Sequence, residues 1–91
     1  MNTEIISKQA IQDELMDFLC RQFFVDYEDI ETDKSLVDTG IIDSMGLIEI
    51  SSYIQKSHGF KVTQEQMNRD NFGSVIKIVD FIHTNISSRN E

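Results

Sequence analysis

The sequence predicts an all-α fold: a small bundle of four helices, in which the third helix is short and a long loop joins the first two. Two observations favour helices over strands. The 91 residues include no proline and only four glycines, and apolar side chains recur at helical spacing along most of the chain. A chain of this length builds one core, so we expect a single domain over residues 1–91, with its core at about 4–87 and a short flexible C-terminal tail.

Charge is distributed unevenly along the chain. Sixteen acidic and eight basic residues give a formal net charge of −8. Residues 1–50 have twelve acids and three bases, a net of −9, whereas residues 51–91 have four and five, a net of +1. A surface this negative repels nucleic acid and anionic membranes, and it favours a basic protein partner and a monomeric state.

No segment has the composition of a membrane span or a secretory signal. No run approaches the roughly 20 apolar residues that cross a bilayer. The first residues, Met1 to Ser7, lack a basic region followed by an apolar one. We therefore expect no membrane insertion and a cytoplasmic location, in which the Asn85-Ile86-Ser87 sequon has no function.

The first helix is predicted from about Glu4 to Gln22, because apolar residues fall at helical spacing at Ile11, Leu15, Phe18 and Leu19. Residues 23–43 lose this periodicity and contain five acids between Asp26 and Asp33. A loop of about 20 residues without regular structure is uncommon and is usually functional. The segment therefore points to a functional connection between the first two helices.

The second helix is predicted from Ser44 to about Ser57. Asp43 is a favourable N-cap residue, Gly40 permits the turn before it, and His58-Gly59 provides the stop. One face of this helix is expected to pack in the core and consists of Leu47, Ile50 and Ile54. Another face is free to meet a second molecule and consists of Met45, Ile48 and Ser52.

Two further helices complete the predicted bundle. Thr63 to Gln66 has the form of a capping box and predicts a short third helix that ends near Asn68. Gly73-Ser74 opens the fourth helix, with Phe72 just before it as an anchor. The apolar face of this helix consists of Val75, Ile78, Val79, Ile82 and Ile86.

Recognisable catalytic and metal-binding motifs are missing from the sequence. Ser44-Met45-Gly46 is not a nucleophile elbow, because Ile42 stands where that motif requires its first glycine. The imidazoles His58 and His83 have no catalytic motif around them. His58 is instead expected at the C-terminal end of the second helix, where a partial positive charge is favourable.

Two other features have structural explanations. The acids between Asp26 and Asp33 lack the glycine and the terminal glutamate of a calcium-binding loop, so we interpret them as a solvated negative loop. Cys20 is the single cysteine and is expected to be a buried helix residue. The sequence therefore predicts no metal site.

Ser44 is the residue at which chemistry is most plausible on physical grounds. A serine in the first helical turn presents its hydroxyl to solvent. A phosphate attached to that hydroxyl would face unpaired backbone N–H groups and the positive end of the helix dipole. The position is therefore suitable for a phosphodiester, although Asp-Ser alone is a common dipeptide.

The sequence context of Ser44 resembles the signature of acyl carrier proteins. Residues 36–50 read Leu-Val-Asp-Thr-Gly-Ile-Ile-Asp-Ser-Met-Gly-Leu-Ile-Glu-Ile. The family pattern is a leucine, a short spacer, a glycine, two apolar residues, Asp-Ser-Leu and then an apolar residue, glutamate and leucine. The resemblance continues through residues 59–62 and 71–74 and covers roughly residues 7–86.

The resemblance implies a non-enzymatic carrier that holds acyl or aminoacyl groups as thioesters on a 4′-phosphopantetheine arm. By position, Ser44 is the attachment site, and Asp43 beside it belongs to the same cofactor-binding site. Met45 and Ile48 correspond to apolar residues that face partner enzymes, and Glu49 corresponds to an acid that contacts basic partners. The implied partners are a phosphopantetheinyl transferase, a ligase or acyltransferase that loads the thiol, and downstream enzymes of fatty acid or secondary metabolite biosynthesis.

Some positions differ from carriers of fatty acid synthesis. Those carriers have an acid two residues after the serine, where this chain has Gly46. They also have an aromatic residue near the end of the second helix, where this chain has His58. Phe60 is therefore expected to fill part of the space of that aromatic ring. Asp-Ser-Met-Gly is closer to stand-alone carriers such as D-alanyl carrier proteins.

Two other hypotheses for the function are a non-catalytic helical adaptor that is not modified and, more remotely, a hydrolase that uses Ser44.

Overall fold

The computed structural model describes residues 7–89, with side chains described as far as residue 87. Within these residues, four α-helices run in chain order: α1 (Lys8–Phe23), α2 (Ser44–His58), α3 (Arg69–Phe72) and α4 (Val75–Arg89). A short 3-10 turn, Tyr27–Asp29, lies between α1 and α2. The predicted all-α bundle with one short helix and a long first loop is confirmed. The predicted start of the first helix at residues 4–6 and the end of the expected tail lie outside the described residues.

The core is built mainly where α1 packs against α4. The buried side chains of α1 are Ile11, Leu15, Met16 and Leu19. The buried apolar side chains of α4 are Val75, Ile78, Val79, Phe81 and Ile82. Ile50 and Ile54 add the inner face of α2. Most of these positions match the predicted apolar faces. Met16 and Phe81 are buried although they were not predicted, and Phe18, Leu47 and Ile86 are only partly buried at the edge of the core.

Local hydrogen bonds explain where the helices begin and end. The Ser7 hydroxyl accepts from the Ala10 N–H at 3.1 Å, so α1 begins at Lys8. Gly59 ends α2 with a left-handed φ of 78°. α1 ends differently, because its left-handed C-cap residue is Phe24, with φ 57° and ψ 46°.

The predicted third helix is wrong in position, although its capping box forms. The Thr63 N–H donates to Gln66 Oε1 at 2.9 Å, and the Gln66 N–H donates to the Thr63 hydroxyl at 3.2 Å. These bonds close a turn rather than start a helix. Asn68 stops propagation, since its side chain donates to the Glu65 carbonyl at 3.0 Å and its own oxygen caps the later helix α3 through the Asn71 N–H.

The long connection between α1 and α2 is folded against the bundle. Ile30, Leu36 and Ile42 are buried. The Leu36 N–H donates to the Gly73 carbonyl at 3.1 Å, and the Ile76 N–H donates to the Thr32 carbonyl at the same distance. The loop is thereby attached to the junction of α3 and α4, which fixes its path toward the start of α2.

Candidate functional site

Ser44 is the first residue of α2, and its side chain is exposed. Asp43 immediately before it is the N-cap residue, as predicted. Its carboxylate accepts a hydrogen bond from the Gly46 N–H at 3.0 Å. This bond fixes the first turn of α2, so the hydroxyl of Ser44 projects from a well-defined helix start.

The loop that leads into α2 is held by a small set of backbone hydrogen bonds. The N–H groups of Ile41 and Ile42 both donate to the Leu36 carbonyl, at 3.0 and 3.2 Å. Gly40 has φ 82°, a left-handed conformation that glycine adopts without strain, and it makes the turn that the sequence predicted. Because Leu36 is itself buried, the loop that leads to Ser44 is held in place by a residue of the core.

Gly46 allows α1 and α2 to approach each other closely beside Ser44. A β-carbon at this position would lie 2.9 Å from the Ile42 β-carbon and 3.1 Å from the ring of Phe23. No side chain larger than hydrogen fits without movement. The close packing at Gly46 was not predicted, although a glycine in the interior of a helix is itself a signal of close packing.

A surface cavity of about 300 Å³ opens beside Ser44. Its apolar walls come from the loop, α2 and the region of α3, and they include Val37, Leu47, Met67 and Phe72. Arg69 lines the same cavity and pairs with Asp38, with N···O distances of 3.4 Å. An apolar cavity of this size next to an exposed hydroxyl has room for part of a flexible group, if one were attached to that hydroxyl. Neither Met67 nor Arg69 was predicted to line a cavity.

The predicted partner-facing residues lie on the outer surface of α2. Met45 is 65% exposed and Ile48 is 50% exposed. Glu49 is also exposed and accepts a hydrogen bond from the Gln22 side chain near the end of α1. The structure therefore brings these three residues together with Ser44 at the N-terminal half of one helix.

The C-terminal half of α2 has a different electrostatic character. His58 ends the helix, as predicted, but burial lowers its pKa below the usual 6.5, only partly opposed by the negative charge of Glu14. The neutral imidazole is thus favoured there, although a positive charge was expected at this helix end. Phe60 is partly buried against Phe81, with ring centroids 5.9 Å apart.

Tyr53 is the other perturbed group of this region. Burial, and after it the charge of Glu14, raise the pKa of Tyr53 to about 12. Its ring stacks on Phe18 with centroids 4.3 Å apart. These groups connect α1 and α2 through packing and lie at the opposite end of α2 from Ser44.

Among residues 7–89, no group of three or more histidine, cysteine, aspartate or glutamate side chains is arranged to hold a metal ion. Cys20 is partly buried in α1, less completely than predicted. In the same part of the chain, no helix is long and apolar enough to cross a membrane. The exposed helix-initial serine and its adjacent cavity are therefore the features that define the site.

The small all-α bundle that presents Ser44 at the start of α2 is consistent with a carrier domain. The family of the phosphopantetheine attachment site matches residues 13–82, which is most of the chain. The chain belongs to this family. The D-alanyl carrier protein of Streptococcus uberis is 30% identical over 71 residues, covering 78% of this chain and 89% of that protein. D-alanyl carrier proteins of Streptococcus pyogenes serotypes M5 and M49 are 29% identical over 70 residues, covering 77% of this chain and 87% of each relative.

No solved structure matches the chain. Membership of the family nevertheless establishes what kind of protein this is. It is a carrier of acyl or aminoacyl groups with a covalently attached 4′-phosphopantetheine, and it is not an enzyme. The adaptor hypothesis is not favoured.

Proposed function

We propose that Ser44 is the residue that bears the 4′-phosphopantetheine arm. The observation that supports this assignment is the exposed position of Ser44 at the start of α2, on the rim of the 300 Å³ cavity. Other serines are less suitable. Ser74 is buried and its hydroxyl accepts from the Lys77 N–H, while Ser52 lies in the middle of α2, away from the free N–H groups of the helix start.

The attachment reaction on Ser44 is a phosphoryl transfer. The serine oxygen forms a bond to the coenzyme A phosphorus that bears the pantetheine. The bond from that phosphorus to the bridging oxygen breaks, adenosine 3′,5′-bisphosphate leaves, and the transferase accepts the serine proton. The phosphodiester then lies at the positive end of the α2 dipole, which stabilises its negative charge.

Asp43 contributes to this site by positioning rather than by binding the arm. Its carboxylate is engaged by the Gly46 N–H at 3.0 Å, so it holds the helix turn that presents the Ser44 hydroxyl. A negative carboxylate would also repel a neighbouring phosphodiester. We therefore assign Asp43 the role of fixing the orientation of Ser44.

Met45, Ile48 and Glu49 form the surface that meets partner enzymes. The two apolar side chains are at least half exposed and flank the attachment residue on the outer face of α2. Glu49 adds a negative charge that suits a basic partner. The partners are the transferase, the enzyme that loads the thiol and the enzyme that receives the cargo.

For the cargo, we propose an aminoacyl group loaded by an adenylating ligase. The support is the similarity to relatives named D-alanyl carrier proteins, which favours an aminoacyl pathway over fatty acid or secondary metabolite biosynthesis. The carrier raises the effective concentration of the tethered thioester at each enzyme that it visits. The protein works as a monomeric single domain in the cytoplasm, where a reducing environment keeps the free thiol of the arm available.

Mass spectrometry of the intact protein tests the attachment site. The purified chain is incubated with coenzyme A and a broad-specificity phosphopantetheinyl transferase, alongside the variants Ser44→Ala and Ser52→Ala. The wild type and Ser52→Ala are expected to gain one phosphopantetheine, and Ser44→Ala none. Modification of Ser44→Ala would show that another residue bears the arm.

The cargo is tested on the modified protein. It is incubated with ATP and D-alanine in the presence of a D-alanine-activating ligase, and in parallel with a fatty acid and an acyl-activating ligase. We expect one alanyl group per chain, released by neutral hydroxylamine as a thioester is. Loading by the fatty acid alone would contradict the aminoacyl assignment.

A further inference from the structure

Phe24 is in an unusual position for a phenylalanine. It is the C-cap residue of α1 in the left-handed conformation, and it is the only non-glycine residue with positive φ among residues 7–89. Its side chain is 91% exposed. Glycine or asparagine is the usual choice at such a cap, because a bulky residue in this conformation is strained. The left-handed backbone of Phe24 and the exposure of its aromatic ring to water are therefore both unfavourable for stability.

Phe24 follows two residues that contact α2, the helix that bears the proposed attachment site. The preceding residue, Phe23, contacts the first turn of α2, because its ring would lie 3.1 Å from a β-carbon on Gly46. One residue earlier, Gln22 hydrogen-bonds the Glu49 carboxylate. The end of α1 is thus attached to the N-terminal half of α2, and Phe24 projects into solvent at that junction.

The surrounding chain segment combines exposed apolar groups with negative charge. Of the six large apolar side chains that are exposed in the described part of the chain, five lie between residues 24 and 48: Phe24, Tyr27, Val37, Met45 and Ile48. Residues 24–49 also contain eight carboxylates and one lysine, a net charge of −7. The complementary surface is basic and has an apolar pocket.

We propose that Phe24 is a docking residue for the phosphopantetheinyl transferase, inserting its ring into an apolar pocket on a basic surface of that enzyme. The inference rests on the proposed attachment at Ser44. To place the phosphorus of coenzyme A against the Ser44 hydroxyl, the transferase must cover the surface around the start of α2. Strain and exposure of this kind persist where they serve a function, and an aromatic anchor at the centre of an interface supplies a large share of binding energy.

The experiment compares Phe24→Gly with the wild type in two measurements. Steady-state kinetics follow modification by the broad-specificity transferase with varied concentrations of the unmodified carrier. We expect KM for the carrier to rise about tenfold with kcat unchanged, because a contact with the enzyme surface is lost. Thermal unfolding of the same variant is expected to shift upward by about 2 to 4 °C, because glycine relieves the left-handed strain at a small entropic cost.

These opposite effects separate docking from a structural role, since a variant that merely disturbed the fold would lose stability and kcat as well. Phe24→Leu keeps an apolar side chain and should recover part of the KM. The matched control is Ile76→Ala, which truncates an exposed apolar residue of α4, a helix that contributes nothing to the cavity beside Ser44. Its KM should equal that of the wild type.

Each result has a definite meaning. An unchanged KM in Phe24→Gly, with a wild type that is modified normally, overturns the docking role and leaves the attachment site intact. A wild type that accepts no phosphopantetheine overturns the proposed attachment and this inference with it. A KM increase in Phe24→Gly that Ile76→Ala reproduces also overturns the specific role of Phe24.

Discussion

Helices α2 and α4 are both 15 residues long, and both are rich in isoleucine, but they use their apolar residues differently. α4 buries five apolar side chains against α1 and the rest of the core. α2 buries only Ile50 and Ile54, and it leaves Met45 and Ile48 in solvent beside Ser44. The buried apolar residues of α4 stabilise the domain, whereas the exposed ones at the start of α2 remain available for another molecule.

The same contrast separates the two ends of α2. Ile54 is fully buried and links the helix to the core, while the N-terminal turn bears the exposed serine and depends on Asp43 and Gly46 for its geometry. Ile54 therefore belongs to the half of α2 that stabilises the domain, whereas Met45 and Ile48 belong to the half that we propose meets partner enzymes. Substitution of Ile54 should change stability, and substitution of Met45 or Ile48 should change modification.

The largest expected effect is on stability, at Ile54. Ile54→Ala should lower the free energy of unfolding by about 2 to 4 kcal/mol, as should Ile82→Ala in α4, because both side chains are fully buried. Ile48→Ala removes the same atoms from a half-exposed position and should change stability by less than about 0.5 kcal/mol. Urea unfolding followed by circular dichroism measures all three.

The kinetics of phosphopantetheine transfer should rank Ile48→Ala and Ile54→Ala in the opposite order to their effects on stability. Ile48→Ala is expected to raise the transferase KM for the carrier, because it truncates the proposed partner surface while the fold is kept. If Ile48→Ala destabilised the domain as much as Ile54→Ala, the division of α2 into an inner and an outer face would be wrong. A transferase KM unchanged by Ile48→Ala would contradict the docking role instead.

The next effect concerns the close approach at Gly46. Gly46→Ala should destabilise the protein by about 1 to 2 kcal/mol, because overpacking against Ile42 and Phe23 exceeds the gain of about 1 kcal/mol in helix propensity. Ser52→Ala, at an exposed position in the same helix, has no such clash and should be neutral or slightly stabilising. The comparison is made by thermal and urea unfolding. A stabilised Gly46→Ala would show that Phe23 moves away without cost.

The fold was largely predictable because its helices have periodic apolar faces and local caps. Ile50, Ile54 and the buried face of α4 follow directly from spacing, and Asp43 caps α2 as its side-chain chemistry suggests. The third helix was misplaced because the Thr63–Gln66 pair forms the same reciprocal hydrogen bonds in a turn as it does at a helix start. A local motif does not determine whether a helix propagates beyond it.

The candidate site was only partly predictable. Ser44, Met45, Ile48 and Glu49 lie within one helix, so their shared surface follows from the sequence. The cavity also needs Met67, Arg69 and Phe72, which the tertiary fold brings from the region of α3. The left-handed conformation of Phe24 likewise depends on where α1 ends, and no pattern of spacing indicates a cap occupied by phenylalanine.

A smaller effect is expected at the start of α2. Asp43→Ala removes the cap on the Gly46 N–H and should cost about 1 kcal/mol of stability. Because the same bond orients the turn bearing Ser44, modification by the transferase should also slow. Asp43→Asn, which retains a capping oxygen, is the matched variant and should recover most of both losses. If Asp43→Asn restored stability but not the rate of modification, the negative charge of Asp43 would itself be required for modification.

The smallest expected effect is a pH dependence at the other end of α2. Burial lowers the pKa of folded His58 below 6.5, so the unfolded chain binds a proton at His58 more readily than the folded chain does. The contribution of neutral His58 to the free energy of unfolding is therefore fully present above about pH 7. It is lost as the pH falls through 6.5 toward the pKa of folded His58. Urea unfolding from pH 7.5 to 5.5 should show a steeper loss for the wild type than for His58→Gln, which retains His83 and all the carboxylates. Parallel curves for the two proteins would mean that the burial of His58 does not disfavour its positive charge. The two halves of α2 would then differ mainly in the exposure of their apolar side chains and less in their electrostatic character.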